Sequence, residues 1–368
     1  MAKKPIRTPT KPAAPPVGDL DLLRELSNAV AVSGDEGAVR RIVLDAIRDH
    51  VDQARVDALG NVLALKKGAS ARRSARVLVA AHMDEVGFMI VDHDPDGTLR
   101  FELVGNIDDR VLLGKPVMIG PKRLLGVIGA MAVHLLPADR RNTVVKVSQM
   151  RIDLGADSKE AARKLVSIGE RGTFAGQFEV LGGVSLRGKA LDDRLGCATL
   201  VELLRSKARY DFDLHAVFTV QEEAGLRGAT VAAYAVDPSC AFVLDCAPAH
   251  DLPHSRGHEN TQYNTRLGHG PVIYVADRRT ISDSRLVRFL QSTAESASLP
   301  YQIRQPGGGS TDAGAIHRTR TGVPTVSVSV PGRYLHTPAG LVRADDWRHT
   351  IKLMRLALES WTPKVLKL

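Results

Sequence analysis

The chain has 368 residues, 44% of them apolar and 25% charged, with a formal net charge of +9. This is an ordinary globular composition, and at ~150 residues per domain the length suggests two domains. No apolar run approaches the ~20 residues that span a bilayer, and none follows the basic N-terminal residues, so neither a membrane protein nor a secretory signal is expected and the default location is cytoplasmic.

Residues 1–18 carry Lys3, Lys4, Arg7 and Lys11 among many prolines. Without apolar periodicity this stretch reads as a disordered basic arm. Such arms can touch acidic surfaces. The body has no basic stripe interleaved with aromatics, however, so nucleic acid is not an expected partner. Residues 19–84 alternate helix and strand. Leu22, Leu23, Leu26 and Val30 recur at helical spacing, as do Val39, Ile42, Val43, Ala46 and Ile47. VDALGNVLAL predicts two short strands around Gly60, and RVLVAAHMD a buried parallel strand.

Between 85 and 177 the character changes to short β-like segments punctuated by turn signals such as Pro95–Asp96–Gly97 and Gly120–Pro121. This predicts an inserted small barrel or sandwich, interrupted by one helical piece from Ser158 to Val166. From 178 to 368 helices and strands alternate again, with LHAVFTV, AFVLD and VPTVSVSV as strands. An α/β pattern that stops and later resumes predicts one discontinuous α/β domain, 19–84 with 178–368, carrying the insert. The three cysteines, Cys197, Cys240 and Cys246, are odd in number and never in C-x-x-C spacing, which argues against a disulfide framework or a cysteine zinc site.

Five motifs follow β-type segments, where sites collect in open α/β sheets. His82 and Asp84 are two apart in a strand and share a face, so one can bind a metal while the other orients it. Asp192 and Asp193 precede an apolar helix; they are candidates for helix capping, for metal bridging, or for one of each. Glu222 and Glu223 end an apolar strand, which is costly unless they are exposed or paired with cations. Asp245 ends AFVLD, and His336 lies just past VPTVSVSV. Two histidines with several carboxylates suit zinc, cobalt or manganese. H-E-x-x-H, G-x-S-x-G and the P-loop pattern are all absent, which removes several rival hydrolase and nucleotide-binding readings.

The stretches AHMDEVGFMI, GKALDDRLGCA, QEEAGLRGA, LDCAPAHD, GGGSTDAGAIH and RYLHTP run in order through most of the chain. In this the sequence resembles the glutamyl and tetrahedral (TET) aminopeptidases, a family of dinuclear metallopeptidases some of whose members have been labelled endoglucanases. The resemblance implies a zinc-peptidase-like α/β/α catalytic domain with a β-barrel-like insert used in assembly. It implies two divalent ions per subunit: His82 and Asp245 on one, Glu223 and His336 on the other, with Asp192 bridging them by its two carboxylate oxygens; the peptide bond between Asp192 and Asp193 is expected to be cis. Glu222 would be the general base, and Asp84 would orient His82. The implied substrates are peptides with a free N-terminus, and the implied assembly is a homo-oligomer, from a dimer to a tetrahedral dodecamer. Competing readings are an N-acyl amino-acid hydrolase or carboxypeptidase on the same scaffold, or a metal-binding scaffold without turnover. Asn106 and Asp109 depart from the family's glycine-rich segment, and His250, His254 and His258 make the stretch after Asp245 unusually rich in histidine.

Overall fold

A computed structural model describes residues 17–69, 75–252 and 265–367. The arm before Val17, and His254 and His258, lie outside these residues. The first helix, Val17–Asn28, starts inside the stretch read as an arm.

RVLVAAH forms the strand Arg76–His82 within an 11-stranded mixed sheet. Asp213–Thr219 pairs with it in parallel on one side and Cys240–Pro248 on the other, and Thr325–Arg333 follows in parallel. Antiparallel strands extend both edges: Val62–Lys66 and Gln53–Val56 on one, Gly340–Arg343, Ser185–Gly188 and Glu179–Leu181 on the other.

The central strands are buried on both faces, which explains their near-continuous apolar runs. Val77, Val79 and Ala81 join a core formed with the helices Val17–Asn28, Gly37–Ile47, Leu191–Arg205, Ser284–Ser296 and Ala344–Ser360. Leu78 and Ala80 point the other way, against Arg227–Val236 and the short helix Ala313–Ile316. The result is three layers, α/β/α. All three cysteines are free and buried.

Six antiparallel strands between Gly87 and Phe174 close into a barrel beside this domain. Phe88 packs edge-on against Phe101 at 5.4 Å and Phe174 at 5.2 Å, an arrangement that favours aromatic quadrupoles. At Gly87 a Cβ would lie 2.4 Å from the Gly172 carbonyl oxygen, so the two strands can approach only because residue 87 has no side chain. The helical piece in the insert is Lys159–Leu165, capped by Ser158, whose hydroxyl accepts the Ala161 N–H. Among the described residues no helix is long and apolar enough to cross a membrane.

Candidate metal centre

His82 is the last residue of its strand and Asp84 lies just beyond. The His82 Nδ1 is 3.2 Å from the Asp84 carbonyl oxygen and 3.5 Å from Asp84 Oδ1. Both oxygens can only accept, so Nδ1 carries the proton and Nε2 is left free to bind. That Nε2 is 3.3 Å from Asp192 Oδ1 and 4.0 Å from Asp245 Oδ1. Strand register explains the Asp245 contact: Val243 aligns with Ala80, so two residues on, His82 and Asp245 project from the same face.

Asp84 does more than orient His82. Its Oδ1 accepts the Glu222 N–H at 3.0 Å, and its Oδ2 accepts the Glu223 N–H at 3.1 Å and the Ser33 hydroxyl at 2.6 Å. One buried carboxylate therefore fixes an imidazole on one strand and the backbone of two glutamates beyond the next.

Asp192 follows Ala190, which adopts left-handed backbone at φ 52°, and the Asp192–Asp193 bond is cis, as the resemblance implied. Asp193 is fully buried. Its Oδ1 accepts the Gly196 N–H at 2.9 Å, capping the helix, and its Oδ2 accepts the His82 N–H at 3.2 Å. A Cβ at position 196 would lie 2.3 Å from Asp193 Oδ2, so the cap requires glycine there.

The second oxygen of Asp192, Oδ2, is 3.4 Å from His336 Nε2, which in turn is 3.0 Å from Glu223 Oε1. His336 Nδ1 donates to the Asn106 carbonyl at 2.7 Å, so this imidazole also presents Nε2. Two donor sets emerge, His82–Asp192–Asp245 and Asp192–Glu223–His336, each with ligand atoms within 4.8 Å of one another. Asp192 is the member they share, with one oxygen toward each.

The electrostatics call for cations. Burial works against charge on His82, but Asp192 and Asp84 outweigh it and hold its pKa well above the usual imidazole value. Burial likewise opposes charge on His336, yet Glu223 and Asp192 push its pKa up to about 12. Burial, then repulsion from Asp192 and Asp193, pushes the Asp245 carboxyl well up. Burial and the neighbouring Glu223, Asp312 and Asp84 do the same to Glu222, against the pull of His82. A buried surplus of carboxylates facing two imidazole Nε2 atoms is a set that divalent cations satisfy and protons satisfy poorly. The residues therefore fit a metal centre.

The centre lies at the inner end of a cleft of about 680 Å³. The seven residues given a ligand, base or orienting role from the sequence are brought together here. The sequence reading assigned no role to Ser33, to the Asn106 carbonyl, or to Asp312, whose carboxylate accepts the Thr219 hydroxyl at 2.5 Å and is pushed up to about 6 by burial. Nor did it find Tyr274 and Arg304, which also line the cleft and whose guanidinium stacks 4.4 Å from the ring centroid. His250 lines the cleft as well.

The profile of the M42 glutamyl aminopeptidases matches residues 60–353. The chain belongs to this family. That makes it an aminopeptidase, a hydrolase of peptide bonds, and implies divalent metal ions. It is similar to the lysyl aminopeptidase of Pyrococcus furiosus, 32% identical over 351 residues that cover 94% of this chain and 98% of the relative. It is similar to the glutamyl aminopeptidase of Lactococcus lactis, 30% identical over 348 residues, covering 92% and 96%. Among solved structures it resembles a TET aminopeptidase from the marine sediment archaeon Thaumarchaeota archaeon SCGC AB-539-E09, with TM-score 0.90, 33% identity and coverage of 95% and 98%. It also resembles the Pyrococcus horikoshii TET1 peptidase, described as assembling into a tetrahedron or a large octahedral shell, with TM-score 0.81, 33% identity and coverage of 93% and 100%.

Proposed function

We propose that this M42 aminopeptidase holds two divalent ions, zinc or cobalt with manganese as the alternative, one on His82 and Asp245 and one on Glu223 and His336. Asp192 bridges them. The observation that carries this reading is the division of Asp192, whose two oxygens face two separate donor sets. When bound, the ions supply Lewis-acid polarisation of the scissile carbonyl and charge stabilisation.

The chain's own groups do the rest. Glu222 lines the cleft and belongs to neither donor set, and its raised pKa suits a group that accepts a proton from the attacking water and returns it to the leaving amine. Asp84 keeps Glu222 in place through its backbone N–H. In this reading 19–84 and 178–368 form the catalytic unit and 85–177 the assembly unit. Exposed Leu125, Met131, Val133 and Leu135 on the barrel side, together with the assembly of the P. horikoshii relative, support a homo-oligomer, from a dimer to a tetrahedral dodecamer.

The test is hydrolysis of free aminoacyl-p-nitroanilides and their N-acetylated counterparts after metal stripping and after restoring zinc, cobalt or manganese. Cleavage is expected only of the free amines and only with metal. Equal release of p-nitroaniline from the acetylated set would show that no free amine is required and sink this reading, whereas release of acetate alone would point to an N-acyl hydrolase.

The preferred N-terminal residue follows from the cations that line the cleft. Relatives of near-equal identity carry lysyl and glutamyl names, so the relatives do not decide it. Outside the metal-binding end, the charged residues lining the cleft are Arg279 and Arg304, and among the described residues neither forms an ion pair. An acidic N-terminal side chain is the complement. N-terminal Glu or Asp is expected to outrank Lys, and Arg304→Ala to reduce kcat/KM for Glu about 10-fold while changing an N-terminal Leu substrate little, as fits one charge-assisted contact. Equal losses on both substrates would remove Arg304 from this role.

A further inference from the structure

Three charged side chains adjoining the metal centre are buried: Glu85, Lys189 and Arg194. Lys189 Nζ donates to both Glu85 oxygens at 2.8 and 2.9 Å, and Arg194 Nη2 to Glu85 Oε1 at 3.2 Å. Their remaining bonds reach outward. Lys189 Nζ donates to the Ala29 carbonyl at 2.7 Å. Arg194 donates to the Leu26 carbonyl at 3.1 Å, to the Asp84 carbonyl at 3.2 Å and to the Met83 carbonyl. Glu85 accepts the Ala31 N–H at 3.0 Å and, from the barrel strand Arg171–Phe174, the Thr173 hydroxyl at 2.8 Å.

The placement in sequence is telling. Lys189 and Arg194 flank Asp192 on either side, and Glu85 directly follows Asp84. The segment between the two cations includes Ala190 in left-handed backbone at φ 52°, a conformation that a residue with a side chain rarely adopts. Left without outside bonds, that segment would have no reason to hold Asp192 midway between two donor sets. The cluster also has one more cation than anion, and it lies next to a site with a surplus of carboxylates. Burial lowers Lys189 to about 8, with Glu85 pulling back upward, so the ammonium persists at neutral pH.

We propose that Glu85, Lys189 and Arg194 are positioning residues that clamp the two flanks of Asp192, hold its carboxylate between the donor sets, and fasten that arrangement to the barrel through Thr173. None of the three touches substrate in this role. The proposal rests on the reading of Asp192 as the metal bridge, and the experiment separates the two.

The full-length protein and three variants, Lys189→Met, the double Glu85→Gln Lys189→Met, and Thr173→Val, are titrated with zinc against a chelating dye. Thermal melting and kcat and KM at saturating zinc are recorded in parallel. Lys189→Met is expected to bind zinc at least about 10-fold more weakly, the size of effect that partners of metal ligands have, and to lose kcat while KM changes less than threefold. Arg194 still pairs with Glu85 in Lys189→Met, whereas the double variant leaves Arg194 buried without an anion, so the double variant is expected to melt lower than Lys189→Met and to regain no zinc affinity. Should Lys189→Met fail to fold, Thr173→Val, which deletes only the barrel-side bond, is expected to weaken zinc about threefold or more. Wild-type zinc affinity and kcat in folded Lys189→Met, recovery of affinity together with stability in the double variant, or an unchanged Thr173→Val would each overturn the clamp. Absence of zinc binding by the unaltered chain would instead overturn the metal-centre reading beneath it.

Discussion

Glu222→Gln is expected to lower kcat by about 10²- to 10⁴-fold, the range that a positioned acid–base group contributes, while metal content stays at the wild-type level. The substitution keeps size and shape, and the Glu222 N–H still has its bond to Asp84. What it removes is the ability to accept a proton. Because Glu222 is outside both donor sets, loss of turnover should not carry loss of metal with it. Elemental analysis of the purified variant beside its kcat on a free aminoacyl-p-nitroanilide makes the measurement. A kcat within threefold of wild type would remove Glu222 from the chemistry. A loss of metal in step with activity would make it a ligand instead of a base.

Asp192→Asn should behave in the opposite way, losing metal first and turnover as a result. Asp192 is the one residue common to both donor sets among the described residues. An amide keeps one oxygen but turns an N–H₂ toward the other set, where a donor meets a cation. Weakening at both positions by at least ~100-fold is expected, above the ~10–100-fold that an outer partner of a ligand is worth. Dialysis against graded free zinc, followed by stoichiometry, reads it directly. If one ion stayed bound with near-normal affinity, Asp192 would belong to a single position and the bridge would be wrong.

Much of this centre is readable from residues because of where it is built. His82, Glu222, Glu223 and Asp245 each stand at or just past the end of an apolar run, and parallel strands in register bring such ends together. Polar residues that interrupt an otherwise buried pattern are conspicuous. The α/β/α layering and the barrel are legible for a related reason, since apolar runs of strand length and dense turn signals reflect burial and chain reversal. The support adjoining the site is not legible in the same way. Glu85, Lys189 and Arg194 look like surface charges until the fold closes 104 and 109 residues of separation between the anion and its two cations. The bond from His336 to the Asn106 carbonyl uses a backbone oxygen, which every residue possesses and no residue type advertises. The stacked pair Tyr274 and Arg304 is 30 positions apart on separate strands, and nothing local couples the two.

The barrel supplies two of these unadvertised contacts, the Asn106 carbonyl to His336 and the Thr173 hydroxyl to Glu85. An engineer who treated it as an interchangeable cassette, to be cut out or traded for another small β unit, would unseat one imidazole and loosen the footing of the shared carboxylate in the same operation. A graft at this junction therefore has to carry those two bonds across with it, whatever it does to the outer face of the barrel.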